Sequence, residues 1–184
     1  CTGFQSSFPH GFTSMVNFND RHTIEKGLYF MRSGESAEIC SSLEHYHHSN
    51  ESRLRDGKIG RWLTDNSKSF LGHQTEDCAQ HLAQRRGYSV PNDSGSLPVP
   101  ERHWGVLERM MRSMHAGAAD SSNPKDTGAP QCLWTWAANQ SNLLLHYLPT
   151  NAHNPPMSPH QFVSKDDSPV NLSWLRRHVS QRSN

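Results

Sequence analysis

Apolar residues are scarce in this chain, and that scarcity sets the first limits on what it can be. Hydrophobic side chains make up 33% of the 184 residues, and with twelve glycines the apolar share is still only roughly 40%, below the usual ~45–50%. Mean hydropathy is −0.80, so the chain is poorly equipped to bury itself and is expected to rely on a partner surface. Five Trp, seven Phe and four Tyr supply packing groups all the same, which sets the chain apart from a disordered composition. Charge of one sign is also lacking. A net charge of +1 gives no reason, from charge alone, to expect contact with nucleic acid or with an anionic membrane. No apolar run approaches the ~20 residues that a membrane-spanning helix needs. The four cysteines, Cys1, Cys40, Cys78 and Cys132, lie far apart with no CxxC pair. Buried thiols are the plainest reading, with disulfides or a metal site as alternatives. The length fits one domain. The first residue is Cys1 rather than Met, which reads as a processed or truncated product. A removed targeting peptide is one form of that reading, and it points to an organelle such as the mitochondrion.

What is present reads as alternating strands and helices. Residues 1–26 are polar and aromatic without a clear period, an N-terminal extension that wraps something; residues 27–184 make the domain. A first strand covers 28–32, and 41–56 make a loop or short helix. Cys78, Ala79, Leu82 and Ala83 fall at helical spacing between Thr75 and Arg86, with Gly87 as the stop. Val106, Leu107, Met110, Met111 and Met114 mark a second amphipathic helix. Loops are expected at 91–100 and 116–130, a buried strand at Cys132–Trp136, and the start of a helix at Asn142–Leu148. Pro149, Pro155, Pro156 and Pro159 exclude regular structure over 149–160, and Asn171–Val179 reads as a short terminal helix. This order predicts an α/β fold with a mainly parallel sheet flanked by helices.

Four collinear segments carry a resemblance. They are Met31-Arg32-Ser33-Gly34-Glu35-Ser36; Lys58-Ile59-Gly60-Arg61-Trp62, continuing through Asp65, Gly72, Ala79, Leu82 and Gly87-Tyr88; Glu101-Arg102-His103-Trp104-Gly105-Val106-Leu107; and Ala137-Ala138-Asn139-Gln140-Ser141-Asn142-Leu143. Together with Leu148-Pro149-Thr150 and Pro159-His160-Gln161-Phe162, they resemble cofactor-dependent phosphoglycerate mutase, a branch of the histidine phosphatase superfamily. The resemblance implies a reduced phosphoglycerate-mutase-like layered fold. It also implies a pocket of two arginines and two histidines around a phosphoryl group, with a glutamate as proton donor. Carried over, Arg32 is the first arginine, Glu101 the acid, and Arg112 stands at a substrate-contacting lysine position. Ser33 replaces the nucleophilic histidine and Asn139 the second one, and the segment for the second arginine is absent.

With Ser33 and Asn139 in place of histidines, the resemblance implies a pseudoenzyme, a structural or accessory subunit whose partners are other subunits of a larger assembly. The alternatives are a phosphate-ester binding module on Arg32 and Arg112, or a weakly active phosphatase or mutase. No cofactor and no metal are expected. The run His45-Tyr46-His47-His48 lacks a carboxylate or thiol at ligand spacing and reads as a solvated loop, with zinc as the sharper alternative. His103 and Trp104 read as local packing, Arg32 with Glu101 as a remnant anion site or an ion pair, and Arg176-Arg177-His178 as a solvated helix face or a partner contact.

Overall fold

The computed structural model describes residues 5–23, 25–53, 58–90, 98–117, 128–150 and 155–165. Four strands and six α-helices follow in the order β1 (Ser14–Asn19), β2 (Lys26–Met31), α1 (Ser36–Asn50), β3 (Arg61–Thr64), α2 (Lys68–Leu71), α3 (His73–His81), β4 (Arg85–Tyr88), α4 (Pro98–Gly117), α5 (Trp134–Tyr147) and α6 (Pro159–Ser164). The strands form two two-stranded sheets. β1 and β2 make an antiparallel hairpin, with Ser14 opposite Met31 and Asn19 opposite Lys26. The Asp20 carboxylate shapes its turn by accepting the His22 N–H at 2.7 Å and the Thr23 N–H at 3.4 Å. β3 and β4 are parallel, with Arg61 opposite Arg85 and Thr64 opposite Tyr88. The mainly parallel sheet expected from the sequence is thereby corrected: half of the strand pairing described is a hairpin, and its first strand lies inside residues 1–26.

Strand alternation sends β1 to two cores. Met15 joins Leu107 and Met111 of α4 and Trp134, Ala137 and Ala138 of α5. Val16, on the opposite face, packs with Met31 and Ile39, and Phe18 lies against that group. A further cluster joins Leu43 of α1, Trp62 of β3, and Cys78, Ala79 and Leu82. In α4, His103, Leu107 and Met111 recur every four residues and are all buried. In α5 the small residues Ala137, Ala138 and Ser141 let α4 approach closely, and the Ser141 hydroxyl meets the Met114 sulfur at 3.6 Å.

Three local expectations differ. Residues 41–50 belong to the fifteen-residue α1, whose buried face of Ile39, Leu43 and His47 is hidden in sequence by serines and histidines. Cys132–Trp136 is not a strand: a 3-10 turn at Gln131–Leu133 leads directly into α5, which Trp134 opens. The helix from Thr75 stops at His81, and the left-handed residue that follows is Ala83 at φ 50°, leaving Gly87 free to lie inside β4. The proline-rich stretch holds a bridge between Thr150 and Met157, and α6 starts from a capping box in which Ser158 Oγ accepts the Gln161 N–H. The terminal helix expected over Asn171–Val179, with Arg176, Arg177 and His178, lies outside the described residues.

Candidate functional site

The loop between β2 and α1 has the backbone of an anion nest, and the anion is internal. Gly34 takes a left-handed φ of 71°, which turns successive N–H groups inward. Arg32 N–H, Ser33 N–H and Gly34 N–H donate to the Glu38 carboxylate at 3.0, 2.8 and 3.0 Å, and the Ser33 hydroxyl donates to it at 2.7 Å. Burial pushes that carboxyl up, but the four hydrogen bonds outweigh it and hold it at about 2. Glu38 is the third residue of α1, so its negative charge also faces the positive end of the helix. The strand-to-turn feature that suggested a phosphate loop is therefore a helix-start device. Ser33 serves as a donor to Glu38, whose carboxylate, held at about 2, is too weak a base to take the hydroxyl proton.

The second feature is the carboxyl end of β3. The Ser89 N–H donates to the Thr64 carbonyl at 2.9 Å, and the Asn66 side-chain amide donates to the Ser89 carbonyl at 2.9 Å, so Asn66 ties the end of β3 to the end of β4. Asp65, between these ties, is exposed, and its Oδ1 accepts the Ser67 N–H at 3.1 Å as the chain turns into α2. A fixed acidic side chain thus stands just past the end of a parallel strand, where open α/β sheets place their ligands.

The third feature is α4. Leu107 is fully buried, and beside it Glu108 is half-buried and accepts Arg112 Nη2 at 2.5 Å. His103, one turn earlier, is 6% exposed, and its Nε2 has no partner among the described residues. Burial, and then the charge of Lys26, hold His103 down at about 3. Burial also lowers Lys26.

The residues expected from the sequence lie on separate elements or far apart on one helix. Arg32 is exposed in the β2–α1 loop, and Asn139 is exposed on α5. Glu101 and Arg112 share α4, eleven residues apart and so about 16 Å along its axis, too far to hold one phosphate. Arg112 is engaged by Glu108. His47, from the histidine run, is buried on α1 with its Nδ1 3.2 Å from the Gln84 amide, so the run is helical and not a solvated loop. Cys78 is buried and Cys40 and Cys132 are half-buried, all as free thiols. Asp65 and Glu108 carry no role in the sequence reading. The signal that marks Asp65 is an acid-amide pair, Asp65-Asn66, directly after a short strand.

No protein-family model and no curated protein matches the chain. Solved structures do. A chain of the simian T-cell lymphotropic virus intasome, in complex with PP2A regulatory subunit B56 gamma, aligns over 92% of this chain at TM-score 0.65 and 16% identity. The HTLV-2 integrase catalytic core domain, in a dimeric complex with magnesium, aligns over 89% at TM-score 0.58 and 12% identity. The fold is that of retroviral integrase catalytic cores. The BIV integrase catalytic core also aligns over 89%, at TM-score 0.55 and 11% identity. This chain spans 54% of the intasome chain, and 91% and 95% of the HTLV-2 and BIV integrase cores.

The integrase-core fold overturns the resemblance to phosphoglycerate mutase and the histidine phosphatase superfamily, and with it the reduced mutase-like architecture. It also removes the ground for a pseudoenzyme. Ser33 and Asn139 are not lost catalytic histidines, because the fold that would have put histidines there is not this one. Among the described residues no group of three or more His, Cys, Asp or Glu side chains is gathered to hold a metal ion. Asp65 and Glu108, one bound to a turn N–H and the other to Arg112, do not by themselves fit a resident magnesium ion.

Proposed function

We propose that the chain is a nucleic-acid-processing core of the integrase type, an RNase H-like domain of the DDE lineage acting on DNA. The observation that carries this reading is the fold match over 92% of the chain at TM-score 0.65. Two acidic side chains support it. Asp65 follows β3 and Glu108 lies on the next long helix, the Asp-then-Glu order of the last two members of a DDE set. In polynucleotide chemistry such carboxylates act where an oxygen attacks phosphorus and another leaves, a reaction governed by positioning and charge more than by covalent chemistry. The Asn66–Ser89 tie gives Asp65 a fixed position for that task. Arg112, held on Glu108, keeps that carboxylate from standing as an unpaired charge.

The test is a strand-transfer and end-processing assay with the full chain, labelled DNA duplexes and magnesium in the buffer. Joined or trimmed DNA is expected from the unmodified chain. Asp65→Asn and Glu108→Gln should each lower its yield by about a hundredfold or more while melting stays unchanged. DNA that is neither bound nor processed by a folded chain would overturn the reading.

A further inference from the structure

Two arginines stand side by side on the second sheet with no acid to balance them among the described residues. Arg61 and Arg85 are register partners on the parallel strands β3 and β4, so their side chains leave from the same face. Both are exposed. Like charges directly opposite one another weaken a sheet, and neither arginine makes an ion pair with a carboxylate among the described residues. The neighbouring Arg86 shows the contrast. It points to the helix-covered face, where its guanidinium lies over the Trp62 ring at 5.3 Å and the Tyr88 ring at 5.0 Å, meets the Glu76 carboxylate at 2.6 Å, and donates to the Phe70 carbonyl.

A second observation concerns where the Arg61 charge is carried. A Cβ built on Gly87 would stand 2.5 Å from Arg61 Nη2 and 3.0 Å from its Nε, with a Leu63 methyl at 2.6 Å. The missing side chain at Gly87 is thus the seat of the Arg61 guanidinium, which runs over the sheet face toward the carboxyl ends of the strands. Gly87 is the register partner of Leu63, so the guanidinium lies about level with Leu63, two residues and ~7 Å along the strand from Asp65. That span is about two base-pair steps of duplex at 3.4 Å each.

We infer that Arg61 and Arg85 form a contact for nucleic-acid backbone phosphates that leads the strand across this sheet face to Asp65. The inference rests on the nucleic-acid reading above and assigns it a track. Planar guanidinium groups suit phosphate oxygens, and neutralising the two charges releases counterions. Such contacts position the substrate without reading its sequence.

The experiment measures binding of a fluorescent random-sequence DNA duplex to the full chain by anisotropy across a salt series. Removing both charges, in Arg61→Gln with Arg85→Gln, should flatten the slope of log affinity against log salt by about two. The pair Arg61→Lys with Arg85→Lys should recover most of that slope, and Arg21→Gln, an exposed arginine on the hairpin turn, should leave it unchanged. A slope untouched by the double glutamine variant, or lowered equally by Arg21→Gln, would overturn the track while leaving the proposed function standing. No DNA binding by the folded unmodified chain would overturn both. Gly87→Ala adds a test that keeps every charge: by displacing the Arg61 guanidinium, it should weaken binding several-fold.

Discussion

At the scale of single residues, Glu38 shows how one side chain can imitate a binding site. The β2–α1 turn looks built for phosphate because it is built for an anion, and the chain supplies that anion four to six residues later. Glu38→Gln leaves fewer acceptor sites for four donors on an exposed loop. It should cost about 1 kcal/mol in urea denaturation, in the range of losing a helix cap. The change should also release the loop's amides to faster hydrogen exchange, with little effect on exchange at α5. His103 is the converse case, a polar group buried without a partner on its Nε2. Its neutral form is the one the fold accepts, so the stability it protects is complete above pH 6.5 and is lost as pH falls toward about 3. Replacing His103 with Leu should flatten the fall in melting temperature between pH 6.5 and 4.5.

At the scale of elements, α4 and α5 carry the larger of the described cores, and their contact rests on residue size. Leu107 is fully buried against Met15 and the small face of α5. Leu107→Ala should cost about 2–5 kcal/mol by urea denaturation, because a cavity between two helices and a hairpin collapses only in part. The α4 periodicity is legible in the sequence, since Leu107, Met111 and Met114 recur at helical spacing. The α5 start is not. Cys132-Leu133-Trp134-Thr135-Trp136 has the composition of a buried strand, and only the packing of Ala137, Ala138 and Ser141 against α4 makes the segment helical. At the shorter α6, Ser158 is wholly buried and caps the helix reciprocally with Gln161, so Ser158→Ala should cost about 1 kcal/mol.

At the scale of the whole molecule, acid is expected to act in two steps. The loss at His103 comes first: below pH 6.5 the unfolded chain's histidine takes up a proton, while in the folded chain it stays neutral down to about 3. Glu38, whose hydrogen bonds hold it at about 2, adds a second loss as pH falls from 4.5 toward 2. Melting temperature followed against pH in the unmodified chain should fall through both windows, and Glu38→Gln should remove only the lower one. A single transition confined below pH 4.5 would mean that His103 is solvated in the folded chain. The net charge of +1 hides the functional geography in the same way that it hides these two groups. Arg86 is balanced by Glu76 and Arg112 by Glu108, whereas Arg61 and Arg85 meet no carboxylate among the described residues, and a sum over the chain cannot tell them apart.

The sequence by itself determined a strand through Leu28–Met31, though as the second strand and not the first, the apolar face of α4, the helix through Cys78 and Ala79, and the lean core, because each is written in local spacing or composition. Tertiary structure decided the rest. Whether β3 and β4 pair in parallel, which anion fills the Arg32–Gly34 nest, and whether Trp134 begins a helix all depend on contacts between residues far apart in the chain. The short motifs around Arg32, Glu101 and Asn139 resemble a mutase-like order, with Ser33 and Asn139 departing from it, yet the fold puts Arg32 in a loop, Glu101 on α4 and Asn139 on α5, with Glu101 and Arg112 about 16 Å apart along one helix. A motif fixes which groups are available. Only the packing of strands and helices fixes which of them meet, and here it sets Asp65 at the end of β3 beside a face that carries Arg61 and Arg85.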